Sequence, residues 1–468
     1  MCGIFGISGA SNAAELAYLG LYALQHRGQE SAGIVSIDAD GKPHQYRGMG
    51  LVPDIFKPKR LVQLHGDIAI GHTRYSTTGS SVLANAQPTV VNYHAGPLAL
   101  AHNGNLVNGR ELRRDLVATG SIFQTSSDTE ALVHLIARSD ARDPEDQVRD
   151  ALDRAEGAYT IVMTMGRTMH GIVDPMGFRP LVLGRLGDAW ILTSETCALD
   201  IVGAEVEREL QPGEWVTIED GKVSDRKRLE TAPSRRCVFE LIYFSRPDSV
   251  VFGESVDRVR RDLGRQLARE HPAPNADSVF SVPDSSNAMA LGFADESGLP
   301  LEHGLIRNHY VGRTFINPGQ ASRTSKVRIK FNPVRDVIDG KSVVVVDDSL
   351  VRGTTSQGLI TMIRHAGARE VHMRIASPPI TGPCHYGIDT PTRSELIAAS
   401  HTVDEISEHL GVDSLGYLSL EGTLRAVGGD DDRFCHACFS GQYPTPIPNS
   451  DDETHEPVPG DPVTAIAD

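Results

Sequence analysis

The stretch SVVVVDDSLVRGTTSQGLITMI, residues 342–363, restricts the fold around it more than any other part of this 468-residue chain. Four successive valines leave the strand no polar face, so it must be buried on both sides, as strands of parallel sheets are. Two carboxylates, Asp347 and Asp348, stand at its C-terminal end, and Gly353, Thr354 and Thr355 lead into a helix. Ligands of open α/β sheets bind outside that end of the strands. The backbone N–H groups of Arg352, Gly353, Thr354 and Thr355 can cradle a phosphate there, helped by the helix N-terminus and by the hydroxyls of Ser349, Thr354 and Thr355. Asp347 and Asp348 are then placed to bind ribose hydroxyls and, through water, Mg²⁺.

The same texture extends from about Ser234 onward. The helix VDRVRRDLGRQLARE alternates with the short apolar strands SVFSVP and EVHMRIAS, which predicts a mainly parallel sheet. The first 230 residues read differently, as short strands such as CGIFGIS, DIAIGHTR, LALAHNGNL and AYTIVMTM between Gly-rich turns, with a few helices. A helix is expected to begin at Ser126–Ser127–Asp128. The change of texture falls near the charged stretch DRKRLETAPSRR, which predicts domains over residues 1–232 and 233–440. The remainder, 441–468, is rich in proline and acid and is expected to be a disordered tail. With 45 basic against 61 acidic side chains, a net charge of −16, the chain lacks the broad cationic excess of a nucleic-acid binder. It has no apolar run of ~20 residues and no secretory signal at its start, so a cytoplasmic location without membrane partners is expected.

Cys2 directly follows the initiator methionine. Trimming Met1 would leave a thiol, of reference pKa ~8.5, and an α-amine, of ~7.7 to 8.0, in one residue: a nucleophile with its own base. The segments CGIFGI, QHRGQESAGI, GHTRYSTTG, AHNGNL and SSDTE occur in that order. Together they resemble the glutaminase domain of the N-terminal-nucleophile amidotransferases, which implies an αββα sandwich. By that resemblance Cys2 attacks the glutamine amide, Arg74 grips the α-carboxylate and Asp128 receives the α-ammonium. Asn103 and the N–H of Gly104 form the oxyanion hole, a device that typically contributes ~3 to 4 kcal/mol. Taken singly, Asn103–Gly104 reads as a hairpin turn and Asp128 as a helix cap; the ordered set is what carries meaning. His72 and His102 are read as strand-packing histidines.

The valine strand and its loop resemble the signature of type I phosphoribosyltransferases, which bind 5-phosphoribosyl-1-pyrophosphate (PRPP). SVPDSSN resembles their pyrophosphate loop, with Ser285 as a metal or diphosphate contact. Arg307, Arg313, Arg323, Lys326, Arg328, Lys330 and Arg335 crowd the segment between, and are expected to form a lid that excludes water. Water would capture the cationic ribose carbon, and ammonia must arrive neutral, so a closed passage between the halves is expected.

Of six cysteines, Cys435 and Cys438 form a C-x-x-C, and Cys237 and Cys384 lie in the same half. Four thiolates fit zinc or a 4Fe–4S cluster, and counting alone leaves both open. RRCVFELIYFSRPDS, GPCHYGIDTP and FCHACFSG resemble segments of the glutamine PRPP amidotransferases, in the branch with a structural 4Fe–4S cluster. That resemblance spans the chain. It implies Mg²⁺, feedback by AMP and GMP, a homotetramer, and the first step of purine synthesis. Cys197 is left as a small buried residue. No longer propeptide precedes Cys2, so maturation is expected to need only the loss of Met1. Two rival readings are a sugar-phosphate aminating enzyme with the same glutaminase half, and a non-enzymatic sensor of PRPP and purine nucleotides.

Overall fold

The computed structural model describes residues 1–75, 80–230, 232–309, 329–429 and 431–447. Two antiparallel sheets form the first half. One runs in the order Glu205–Glu209, Val182–Leu186, Ala189–Thr193, Gly3–Ser8, Ile68–Arg74, Ser31–Ile37, Pro43–Met49. The other runs Lys222–Arg228, Glu214–Glu219, Thr168–Val173, Gly157–Met165, Gly96–Leu106, Thr89–Tyr93. Ile4, Val35 and Ile70 of the first meet Ala99, Val162 and Val216 of the second in one apolar layer. The sheets come so close that a Cβ on Gly6 would lie 2.7 Å from Val162 Cγ1, which is why the strand Gly3–Ser8 needs glycine there.

Helices cover both outer faces. Ala13–Ala23 and Cys197–Val202 seal the first sheet around Phe5, Ile7 and Leu199. Gly109–Ala118, Asp128–Ala137 and Pro144–Leu152 seal the second around Leu100, Ile161 and Trp215. Strands covered twice are apolar on both faces, and Gly3–Ser8 and Ser31–Ile37 are buried throughout. The result is the αββα sandwich.

The second half holds a four-stranded sheet in the order Ser278–Ser281, Ser342–Asp347, Glu370–Ile375, Ser414–Tyr417, with every pair parallel. The valine strand is second in it, and Val343 to Val346 are wholly buried between two apolar layers. Helices Val256–Glu270 and Asn287–Ser297 pack on one face with their backbones touching. A Cβ on Gly264 would sit 1.9 Å from Met289 O, and one on Gly292 1.9 Å from Arg261 O.

Arg313, Arg323, Lys326 and Arg328 of the expected lid, and residues 448–468 of the expected tail, lie outside the described residues. Disorder beginning at 441 does not hold for 441–447. Tyr443 donates its hydroxyl to Pro383 O at 2.7 Å, Thr445 N donates to the Tyr386 hydroxyl at 3.1 Å, and Ile447 packs beside Tyr386. Two apolar side chains, Tyr443 and Ile447, and the Thr445 backbone among the prolines are enough to anchor that part of the segment. Among the described residues no helix is long and apolar enough to cross a membrane.

Candidate active sites

The first site gathers at the edge where Gly3–Ser8, Ile68–Arg74 and Gly96–Leu106 converge. The structure retains Met1, so the Cys2 nitrogen is an amide. It donates to Asn103 Oδ1 at 3.0 Å, while the Cys2 carbonyl accepts from Arg27 Nε at 2.9 Å. Asn103 is fully buried, and among the described residues its Nδ2 has no hydrogen-bond partner. A buried amide donor aimed at nothing is costly unless something arrives to accept from it. An oxyanion formed at Cys2 would do so.

Gly104 follows at φ +152°, and a Cβ there would lie 2.0 Å from Ala158 O, so glycine is required. Arg74 is 3% exposed, with Nη1 on Ser80 O at 3.1 Å. Asp128 opens the helix Asp128–Ala137, but the cap is Ser127, whose hydroxyl accepts from Thr129 N at 3.3 Å. The Asp128 carboxylate instead accepts from Leu106 N at 3.0 Å, which orients it beside the strand that carries Asn103 and Gly104.

His102 fits its expected packing role, with its ring on Thr129 Oγ1 and Ala158 O at 3.2 and 3.3 Å. His72 does not. Its Nε2 sits 3.0 Å from His102 O, and its Nδ1 is buried without a partner among the described residues. Burial alone would raise the Cys2 thiol, but the nearby His72 ring, then the N-terminal ammonium and the Tyr75 backbone, outweigh it and bring the thiol down to about 6. Cys197, by contrast, is pushed up to about 12 by burial and then by the Glu195 carboxylate. The thiolate fraction therefore rises with pH through about 6 at Cys2 and stays negligible at Cys197. Iodoacetamide at pH 7 should label the N-terminal peptide still carrying Met1 and spare Cys197. A labelling rate that climbs only above the ordinary thiol range of ~8.5 would contradict the His72 effect.

Behind Cys2 lies an ion network that the sequence concealed. Arg27 bonds Glu195 at 2.5 Å and Glu240 at 2.7 Å, and Arg179 reaches Glu240 at 3.3 Å, with all four side chains 0% exposed. Arg27 was visible inside QHRGQESAGI and Glu240 inside RRCVFELIYFSRPDS, but nothing in the spacing of residues 213 positions apart pairs them.

The second site lies at the C-terminal end of Ser342–Asp347. Asp347 Oδ1 accepts from Ser286 Oγ at 3.1 Å, and Asp348 Oδ1 from Ser349 Oγ at 2.7 Å. Ser285 also hydrogen-bonds the Asp348 carboxyl. Burial, then the neighbouring Asp348 charge, pushes Asp347 well above the usual carboxylate range; burial raises Asp348 as well. Two crowded carboxylates in this state call for cationic or hydroxyl partners. Gly353 (φ +75°) turns the chain into the helix Thr354–His365, which has no side-chain cap, so its first N–H groups are available for an anion. Thr354 and Thr355 stand in the first helical turn rather than in the loop, and both are exposed. Arg352 instead pairs with Glu395 at 3.1 Å.

The four cysteines of the second half meet at a third place. Cys237 and Cys435 are register partners of a short parallel pair, and Cys438 follows in the turn of helix Ala437–Ser440. Burial, then the charges of Cys384, Cys237 and Cys435, pushes the Cys438 thiol well above its ordinary value. Tyr386 N donates to Cys384 Sγ at 3.4 Å, and the Arg179 guanidinium feels both Cys237 and Cys384. Among the described residues no three His, Cys, Asp or Glu side chains gather tightly enough to enclose one metal ion.

Residues 72–200 match the family described as a glutamine amidotransferase domain. The amidophosphoribosyltransferase of Bacillus subtilis is 50% identical over 452 residues, covering 95% of this chain and 94% of that protein. That of Archaeoglobus fulgidus is 49% identical, covering 97% and 100%. Amidophosphoribosyltransferase 2, chloroplastic, of Arabidopsis thaliana is 51% identical, covering 95% and 79%. Among solved structures, glutamine PRPP amidotransferase from B. subtilis complexed with ADP and GMP superposes with a TM-score of 0.91 at 48% identity, over 98% of this chain and all of that one.

Proposed function

The chain belongs to the amidophosphoribosyltransferase family, and on that premise we propose how its residues divide the reaction and what they bind. Glutamine, PRPP and water give 5-phosphoribosylamine, pyrophosphate and glutamate, a step of purine synthesis. Cys2, freed of Met1, attacks the glutamine side-chain carbonyl. Asn103 Nδ2 and the Gly104 N–H receive the oxyanion, and collapse expels ammonia and leaves a γ-glutamyl thioester. Water then releases glutamate and regenerates the thiol. Arg74 takes the substrate's α-carboxylate and Asp128 its α-ammonium, so the amide carbon comes to rest over the thiol.

In the second half, the helix Thr354–His365 and the hydroxyls of Ser349, Thr354 and Thr355 hold the 5-phosphate, with Arg352 and Gly353 supplying backbone donors. Asp347 and Asp348 take the ribose hydroxyls and, with Ser285, would hold a Mg²⁺, which when bound would supply positive charge against the diphosphate. Ammonia attacks C1 of the ribose as that bond breaks. The observation that carries this reading is Asn103 Nδ2, a buried donor left without an acceptor beside the thiol. The test is stoichiometry. Glutamate and phosphoribosylamine should form one for one with PRPP present, and glutamate release without any aminated sugar would sink the coupling.

Cys237, Cys384, Cys435 and Cys438 would hold a structural 4Fe–4S cluster. The donor set fits: two buried and two half-buried thiols whose charges act on one another, an N–H bond to one sulfur and a guanidinium at hand to offset thiolate charge. When bound, the cluster would tie the Cys435–Cys438 segment to the body. Anaerobically purified protein should be brown, and Cys435→Ser should lose both colour and thermal stability. Colourless wild-type protein holding one zinc per chain would overturn the assignment. Feedback by AMP and GMP, a homotetramer and a cytoplasmic location accompany this reading; the first is supported by the nucleotides bound to the Bacillus relative.

A further inference from the structure

Residues Cys384–Gly387 belong to the transferase half, yet they press on the oxyanion strand of the glutaminase half. Gly387 has φ +103°, and a Cβ there would lie 2.8 Å from the Gly104 carbonyl carbon and 2.9 Å from its oxygen. The two backbones are in direct contact. One position along, Asn105 Nδ2 donates to His385 O at 2.9 Å. Between them the Tyr386 carbonyl accepts from Arg179 Nε and Nη2 at 3.2 and 2.7 Å, and its ring stacks on Phe178 at 4.3 Å. Three successive residues of one half are thus fastened to the other, and two of the fastenings fall on Gly104 and its neighbour.

Gly104 is confined from both sides. The Ala158 carbonyl fills the space where its side chain would be, and Gly387 closes off the carbonyl of its own peptide. An oxyanion donor contributes only at the right angle, and a displacement of ~1 Å can cost ~10²-fold in rate. We propose that His385–Gly387 is a positioning element of the glutaminase site, holding the peptides around Gly104 at the angle the tetrahedral intermediate requires. Glutamine hydrolysis is then competent only with the transferase half docked. The inference rests on the assignment of Cys2 and Gly104 to glutamine chemistry.

The test uses the full chain with Gly387→Ala, whose new methyl must push Gly104 aside. Glutamine-dependent kcat should fall ~10²-fold with KM for glutamine within about twofold, and ammonia-dependent turnover should stay within about twofold of wild type. Asn105→Ala, which cuts the bond to His385, should lower the same kcat by roughly tenfold. Glutamate γ-semialdehyde, whose adduct with Cys2 places an oxyanion in the hole, should lose affinity in step with kcat, while glutamate should not. Unchanged glutamine kcat in Gly387→Ala, or equal loss of both activities, overturns the proposal; if that variant does not fold, unchanged kcat in Asn105→Ala does so. Cys2→Ala separates the two levels. If it still consumes glutamine, the site assignment is wrong. If it is inactive while both positioning variants run normally, only the positioning role is wrong.

Discussion

Cys2→Ala will abolish glutamine-dependent synthesis, with a loss of ~10³-fold or more, while turnover with added ammonium salt stays within about twofold of wild type. The asymmetry follows from where the chemistry sits. Cys2 is in the αββα half, bonded to Asn103 and Arg27, and contributes nothing to the loop at Asp347–Thr355. On the proposed assignment, removing its sulfur removes the nucleophile of glutamine cleavage and leaves the Asp347–Thr355 loop untouched. Steady-state assays with each nitrogen source decide the matter. Equal loss with both would mean that Cys2 supports the fold rather than the reaction. That outcome has a physical route, since Met1 beside it is buried in the core of the transferase half with Cys237 and Phe239. Melting curves of the variant should accompany the assay.

Much of this arrangement was legible in the sequence because its signals are local. Four valines announce a doubly covered strand, and the helix Val256–Glu270 occupies the segment VDRVRRDLGRQLARE expected to form it. The ordered motifs around Cys2, Arg74, Asn103 and Asp128 are local too, and the fold brings them to one edge. The rest depends on partners distant in the chain. His72 reads as a packing residue alone until the fold sets its ring near enough to Cys2 to act on the thiol. Glu240 reads as one acid in a helix until Arg27 and Arg179 converge on it. Gly387 reads as a turn glycine until Gly104 lies against it. Periodicity reports which face of an element is buried and is silent about what it is buried against. A rival reading as a sugar-phosphate aminating enzyme fails on a local signal, since such an enzyme would have no use for the Asp347–Thr355 loop. The nucleotide-sensor reading has no use for an unpartnered oxyanion donor at Asn103.

Asp347→Asn should lower turnover with either nitrogen source by ~10³-fold and at the same time raise the melting temperature of the ligand-free protein by about 2 °C or more. The two effects share a cause. Burial and the adjacent Asp348 charge hold the Asp347 carboxyl well above its unfolded value. Below the unfolded pKa of ~3.9 both states are protonated and the group is neutral to stability. As pH rises past that value the unfolded chain ionises while the folded one resists, so stability is lost up to the folded pKa and stays lost at neutral pH. An amide at this position removes that cost and relieves Asp348 as well. The melting difference between variant and wild type should therefore vanish near pH 3 to 4 and be largest at neutral pH. Adding Mg²⁺ and PRPP should reverse it, because a ligand bound only by the folded wild-type site raises that protein's stability alone. An equal melting temperature at neutral pH would show that the pair is not strained. Retained ammonia-dependent turnover would remove Asp347 from the PRPP site. A higher melting temperature together with retained turnover would leave the buried acids at the end of the valine strand without a role, and the stability they sacrifice without a return.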